Sequence, residues 1–201
     1  GQAYEYAGSV IEDMEMEGRM TVCNMSIEGG ARIGYINPDE TTYDYLEGRE
    51  FTPKGDDFDR ALEYWKSIAS DPDAVYDHVT DIEGESIEPM VTWGINPGHS
   101  VGISEKLPAP DSFTGEDIKT AEQGYAHMAL KPGDAIAGTK IDVAFLGSCT
   151  NSRLSDMREG ARVLKGNKVN PKVKMLVVPG SQQIKAQAES EGLHEIFQEA
   201  G

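Results

Sequence analysis

"IDVAFLGSCTNSR", residues 141–153, passes from an unbroken apolar run straight into a polar loop with a cysteine near its start. A continuous apolar run of this length suits a strand of a parallel sheet covered on both faces. Working outward, Leu154, Met157, Ala161 and Leu164 recur on one side of a helix. "VKMLVVPGS", residues 173–181, is a second buried strand. Ser181 caps a further helix with Ile184 and Ala188 facing inward and Gly192 as its stop, and Leu193, Ile196 and Phe197 begin a last short one. Strand, helix, strand, helix at this spacing is a βαβ unit, which predicts a parallel sheet, a right-handed crossover and an α/β fold.

Cys149 therefore falls at the carboxyl end of a parallel strand, in the turn that enters a helix. Ligands bind at that edge of open α/β sheets. A helix N-terminus there favours thiolate over thiol. Asn151 and Ser152 can supply hydrogen bonds to sulfur or to a bound anion. The residues alone leave three uses open. One is a buried structural thiol. Another is a nucleophile, which needs a base, yet nothing in the spacing of His78, His99, His127 or His194 ties any of them to Cys149. The third is a metal or cluster ligand, whose partners are missing, because the chain has no CxxC and no HExxH.

Before this segment the pattern is mixed. Ala7, Val10, Ile11 and Met14 predict a helix over 3–17, and the short apolar stretch Arg19–Cys23 predicts a strand. Asp39 is placed to cap a short helix to Leu46 that Gly48 ends, and Asp57 to cap an amphipathic helix over 58–69. "VYDHV" and "PMVTWG" predict short strands, and residues 108–137 read as acidic loop with one helix over 116–128. The expected division is a partial α/β subdomain over 1–94, an interdomain connection over 95–138, and the start of a second α/β subdomain over 139–201.

Composition sets the outer limits. The 201 residues are 38% hydrophobic and 26% charged, as expected of a globular chain rather than a disordered one. A formal net charge of −17 argues against nucleic acid and anionic membrane as partners. Residues 153–174 depart from it, with seven cations against two acids, either a solvated helix face or a local field that tolerates anions near Cys149. Two cysteines make no disulfide framework, and no apolar run reaches the ~20 residues of a membrane helix, so a reducing, cytoplasmic setting is expected. "GQ" at positions 1 and 2 does not read as a natural beginning, and an excised piece of a longer protein is expected.

Four motifs occur together: "GRMTVCNMSIEGGARIGYINPDETT" (18–42), "VTWGINPG" (91–98), "GSCTNSR" (147–153) and "VVPGSQQIKAQAESEGL" (177–193). As a set they resemble the aconitase family, over nearly the whole chain and in the family's order. The resemblance implies a three-layer α/β/α aconitase-like iron-sulfur domain with a mostly parallel sheet, incomplete at both ends. It implies a [4Fe-4S] hydro-lyase that interconverts 2- and 3-isopropylmalate by dehydration and rehydration, in leucine biosynthesis. Three cysteines hold such a cluster, leaving one iron open as a Lewis acid for the departing hydroxyl.

By motif, Cys149 matches the first cluster cysteine and is the expected metal ligand, and Asn151 beside it is expected to bind the cofactor as well. Glu28 matches the carboxylate that hydrogen-bonds the iron-bound water or hydroxide, and Asn24 a residue that contacts the cluster. Cys23 matches no ligand and is expected to be buried. His99 stands where a more apolar residue is expected and reads as an ordinary loop histidine.

The family's other two cluster cysteines, its amino-terminal aspartate and histidine motifs and its later substrate arginines have no counterpart here. Its proton-abstracting serine comes from a separate small subunit. The resemblance thus implies a dicarboxylate substrate and a small-subunit partner for the parent protein, and a chain that alone is inactive and retains no cluster. A homoaconitase-like or other dicarboxylate hydro-lyase, and a non-catalytic domain that kept the fold, are the alternatives.

Overall fold

The computed structural model describes residues 1–201. It is an α/β structure in two compact units, one of residues 1–77 with 142–201, the other of residues 78–141. The expected division into 1–94, 95–138 and 139–201 differs from this. The boundary at 94/95 falls inside the second unit, and residues 95–138 share one hydrophobic core with Trp93 and Val91.

The first unit holds two βαβ turns of the chain. In the first, β1 (Gln2–Tyr6) pairs in parallel with β2 (Ala31–Ile36). Between them run α1 (Ser9–Glu12) and α2 (Met16–Met25). The helix expected over 3–17 is thus a strand followed by one short helical turn, and the strand expected over 19–23 is helix. Gly8, at φ 97°, ends the extended segment in a conformation that side chains disfavour. The apolar residues of α2 do not gather on one face, which is why its period is hard to read. Packing holds it instead. A Cβ on Gly34 would come within 2.6 Å of the Cys23 carbonyl oxygen, so the absence of a side chain there lets α2 lie directly on β2. Buried Ser26 ties the same contact, meeting the Tyr6 hydroxyl at 2.8 Å and donating to the Val22 carbonyl at 3.0 Å.

Arg19 of α2 is 2% exposed and uses its fork on three partners. It donates to the carbonyls of Met14 (2.9 Å) and Glu12 (2.8 Å) and to the Asp39 carboxylate (2.6 Å). Asp39 also accepts from the Thr42 amide at 3.2 Å and so caps α3 (Glu40–Leu46), as expected. The helix α4 follows over Asp56–Ser67, its N-cap being Gly55 rather than the expected Asp57, which lies inside it.

The second βαβ turn agrees with the expectation. The strand β5 (Val143–Leu146) pairs in parallel with β6 (Lys174–Val177) across α6 (Leu154–Leu164). The helices α7 (Gln182–Ser190) and α8 (Leu193–Ala200) follow. The Ser181 hydroxyl accepts from the Ile184 amide at 3.1 Å, and Gly192 turns the chain at φ 74°. Met157, Ala161, Ala188 and Leu193 form the core, with Leu146 and Val177 facing it from the sheet. All three helices cover one face. On the other, Val143, Phe145, Leu176 and Val178 are exposed, so the expected cover on both faces is present on one only.

In the second unit, β3 (Met90–Thr92) and β4 (Ser100–Gly102) are antiparallel, and α5 spans Asp117–Met128. The "VYDHV" strand is not formed. Trp93, 1% exposed, is sandwiched between His99 (centroids 4.6 Å apart, 11° between planes) and Tyr125 (4.3 Å, 18°). His99 is therefore a buried core residue, not an ordinary loop histidine, and its Nδ1 accepts from the Ile95 amide at 3.2 Å. Stacking offsets the cost of burying its ring.

Arg19→Ala leaves two carbonyls without their donor while freeing a half-exposed Asp39. The loss is expected at about 2–3 kcal/mol by chemical denaturation, after discounting the partly solvated ion pair. A change below about 0.5 kcal/mol would contradict this. The hydrogen bond from Arg19 holds the Asp39 carboxyl below the ordinary range, against a smaller opposing effect of burial. A depressed folded pKa gives stability that is complete above the unfolded value and is lost as pH falls through the folded one. The stability difference between the native chain and Asp39→Asn should then be constant near neutrality and shrink only in the acid range; a difference that grows on acidification contradicts it.

Candidate active site

Between β5 and α6 lies the loop of residues 147–153, with Cys149 at its tip. Its base is set by a close approach. Gly147 has φ 148°, and a Cβ there would stand 2.6 Å from the Val178 carbonyl oxygen. No other residue fits without moving β6. Ser152 is 2% exposed and donates its hydroxyl to that same carbonyl, while the Gly180 amide donates to the Ser152 carbonyl at 2.9 Å. The loop is thus fastened to the carboxyl end of the neighbouring strand.

Within the loop, the Ser148 hydroxyl accepts from the amides of Thr150 (3.2 Å) and Asn151 (2.7 Å), a local turn that short hydroxyl side chains favour. The Arg153 amide donates to Asp156 at 2.9 Å, starting α6. The Cys149 sulfur is free and exposed, with the Thr150 hydroxyl 3.8 Å away.

The other side of the loop leans on α2. The Asn151 amide nitrogen lies 3.2 Å from the Thr21 hydroxyl. The Arg153 guanidinium donates to the Thr150 carbonyl at 3.0 Å and reaches the Met20 sulfur at 3.1 Å. Thr21 and Asn24 are three residues apart on α2, hence neighbours on one helix face. The structure so brings the Asn151 loop to the helix that carries Asn24. Glu28 sits beyond the end of α2 in a turn, where its amide bonds the Met25 carbonyl at 3.1 Å. Asn24 and Glu28 are both exposed. No hydrogen bond links Glu28 to the cysteine loop.

Cys23, on α2, is a different thiol. It is half-buried, and burial pushes its pKa up, which disfavours thiolate. Cys23, expected to be buried, is thus only partly so.

Four of the seven cations in 153–174, Arg153 among them, bond local partners through their side chains. Arg158 pairs with Glu191 through two bonds of 2.9 and 2.7 Å, Arg162 pairs with Glu159 at 2.7 Å, and Lys168 bonds the Glu199 carbonyl. The solvated-face reading fits these residues. A cavity of about 460 Å³ lies elsewhere, at the carboxyl ends of β1 and β2, lined by Tyr6, Arg19, Asn37 and Asp39 among others. Its buried cation is already engaged by three acceptors, so that hollow reads as a structural feature.

The residues fit one corner of an iron-sulfur site. Cys149 offers one accessible sulfur, and no group of three or more His, Cys, Asp or Glu residues in the chain is placed to hold a metal. The participation of Met20, Thr21, Ser148 and Arg153 escaped the sequence. Ser148 and the Arg153–Asp156 spacing carry local turn and cap signals, but nothing local marks Thr21, 130 residues away from Asn151.

Residues 1–201 match the aconitase family (aconitate hydratase) throughout, and the chain belongs to that family. Among curated proteins it is similar to the 3-isopropylmalate dehydratase large subunits of Synechocystis sp. (60% identical), Crocosphaera subtropica (59%) and Synechococcus sp. (57%), each over all 201 residues. The chain spans 43% of the length of these relatives. No helix is long and apolar enough to cross a membrane.

The contrast between the two thiols has a direct consequence. Alkylation of the folded chain should modify Cys149 several times faster than Cys23, and denaturant should bring the two rates together. Equal rates in the folded state, read by peptide mass spectrometry, would contradict the assignment.

Proposed function

We propose that this chain is part of a 3-isopropylmalate dehydratase large subunit. The whole protein, with a separate small subunit, interconverts 2-isopropylmalate and 3-isopropylmalate by dehydration and rehydration on a [4Fe-4S] cluster, a reaction of leucine biosynthesis in the cytoplasm. One observation carries this reading: an exposed, unpaired thiol at the carboxyl end of a parallel strand, in a loop fastened to the next strand and to the helix bearing Asn24. The similarity to three large subunits over every residue of the chain supports the same substrate.

Cys149 supplies one of the cluster's three thiolates, and Asn151 holds the Cys149 loop to α2. When bound, the cluster supplies a Lewis acid for the departing hydroxyl. Glu28 exchanges a proton with that hydroxyl or the incoming water, and its exposure leaves its carboxylate free to do so. Asn24 contacts the bound group from α2. The chain alone brings one ligand of three and therefore neither retains the cluster nor turns over substrate.

The test uses the complete two-subunit enzyme. Cys149→Ser should abolish both the visible iron-sulfur absorbance and isomerisation. Glu28→Gln should keep the absorbance and lower kcat by about 10²–10⁴-fold. Anaerobic reconstitution of the 201-residue chain by itself should give no such absorbance. A Cys149→Ser enzyme with full cluster content and activity would overturn the reading.

A further inference from the structure

We propose that Arg153 is a positioning residue that locks the cysteine loop to α2 and thereby fixes where Cys149 stands relative to Asn24; this rests on the function proposed above. Its position at the start of α6 would by itself explain only a helix cap. The cap, however, uses the backbone amide, which bonds Asp156 at 2.9 Å. The side chain does something else. One arm of the guanidinium holds the Thr150 carbonyl at 3.0 Å, one residue from Cys149, and another reaches the Met20 sulfur at 3.1 Å. The guanidinium therefore spans from the loop to a helix 133 residues earlier in the chain.

A planar fork can hold two acceptors at a fixed separation, which a lysine ammonium cannot. The contact lies beside the Asn151–Thr21 contact, and Met20 and Thr21 are consecutive on α2. Two adjacent attachments fix both the distance and the rotation of the loop, where one would leave a pivot. Groups that orient a metal ligand without touching the metal set how tightly the metal is kept.

Arg153→Ala and Arg153→Lys separate this role from others, the lysine variant keeping the cation and much of the stem while removing the fork. In the complete two-subunit enzyme, both variants are expected to release the cluster to a chelator about tenfold faster or more, followed by visible absorbance, with the thermal unfolding midpoint unchanged. In the metal-free large subunit, amides of residues 148–152 should exchange with solvent several times faster while those of α6 stay protected. Release and exchange at wild-type rates overturn the proposal. A lysine variant indistinguishable from wild type overturns it too, because charge would then suffice. Faster release matched by a lower midpoint, or loosening of α6 along with the loop, reduces Arg153 to a cap and also overturns it. Should the wild-type enzyme take up no cluster, the proposed function fails, while the exchange measurement still decides the role of Arg153.

Discussion

The carbonyl of Val178 is the point on which the site depends. It sits where β6 ends, and two features of the cysteine loop are shaped to it: Gly147, whose missing side chain leaves room for the oxygen, and Ser152, whose buried hydroxyl donates to it. A buried hydroxyl without a partner costs about 1–3 kcal/mol, so the loop has one seat on the strand end rather than several. With residues 147 and 152 fixed, the residues between them can only arch outward. Exposure of Cys149 follows from the geometry of its neighbours, not from any property of the sulfur.

The second anchor comes from far along the chain. Met20 and Thr21 meet the loop across about 130 residues of sequence, and contacts of that range bring a closure cost in conformational entropy. That cost grows slowly with length, and here the intervening chain is not idle. Residues 78–141 fold around the Trp93 stack with their own core. The two halves of the first unit, 1–77 and 142–201, are each built on a βαβ turn; α2 is held on β2 by the Gly34 approach and tied to the start of α3 by the bond from buried Arg19 to Asp39. A rigid α2 gives the loop something definite to lean on.

How far the sequence could be read follows from where the information is local. The second βαβ turn was legible because its strands are continuous apolar runs and its helices carry capping residues such as Ser181 and stops such as Gly192. Asp39 was legible for the same reason. The first turn was not. "AYEYAG" shows its tyrosines at alternate positions, yet Ala7, Val10, Ile11 and Met14 at helical spacing overlap it, so two periods compete over the same residues. The α2 segment has no clean apolar stripe, so its state is decided by packing on Gly34. The Trp93 core is not legible in the sequence because His99 and Tyr125 follow it at separations of 6 and 32 residues with no shared period, and only the fold stacks them. Within the site, Cys149 was found from its strand-to-helix position, whereas the roles of Met20, Thr21 and Arg153 are long-range and leave no local trace.

In the function proposed above, Cys149 is one ligand of three, and that number has a further meaning. A flexible thiolate loses its freedom each time it binds, and that loss weakens every other bond to the same group. A sulfur whose loop is already seated on Val178 and held against α2 has lost most of that freedom in folding. The two anchors lie on elements of opposite ends of the first unit, so the thiol reaches its place only when both βαβ turns are formed and docked. The proposed binding at Cys149 is in this way coupled to the integrity of the whole unit, although the sulfur itself touches little of it.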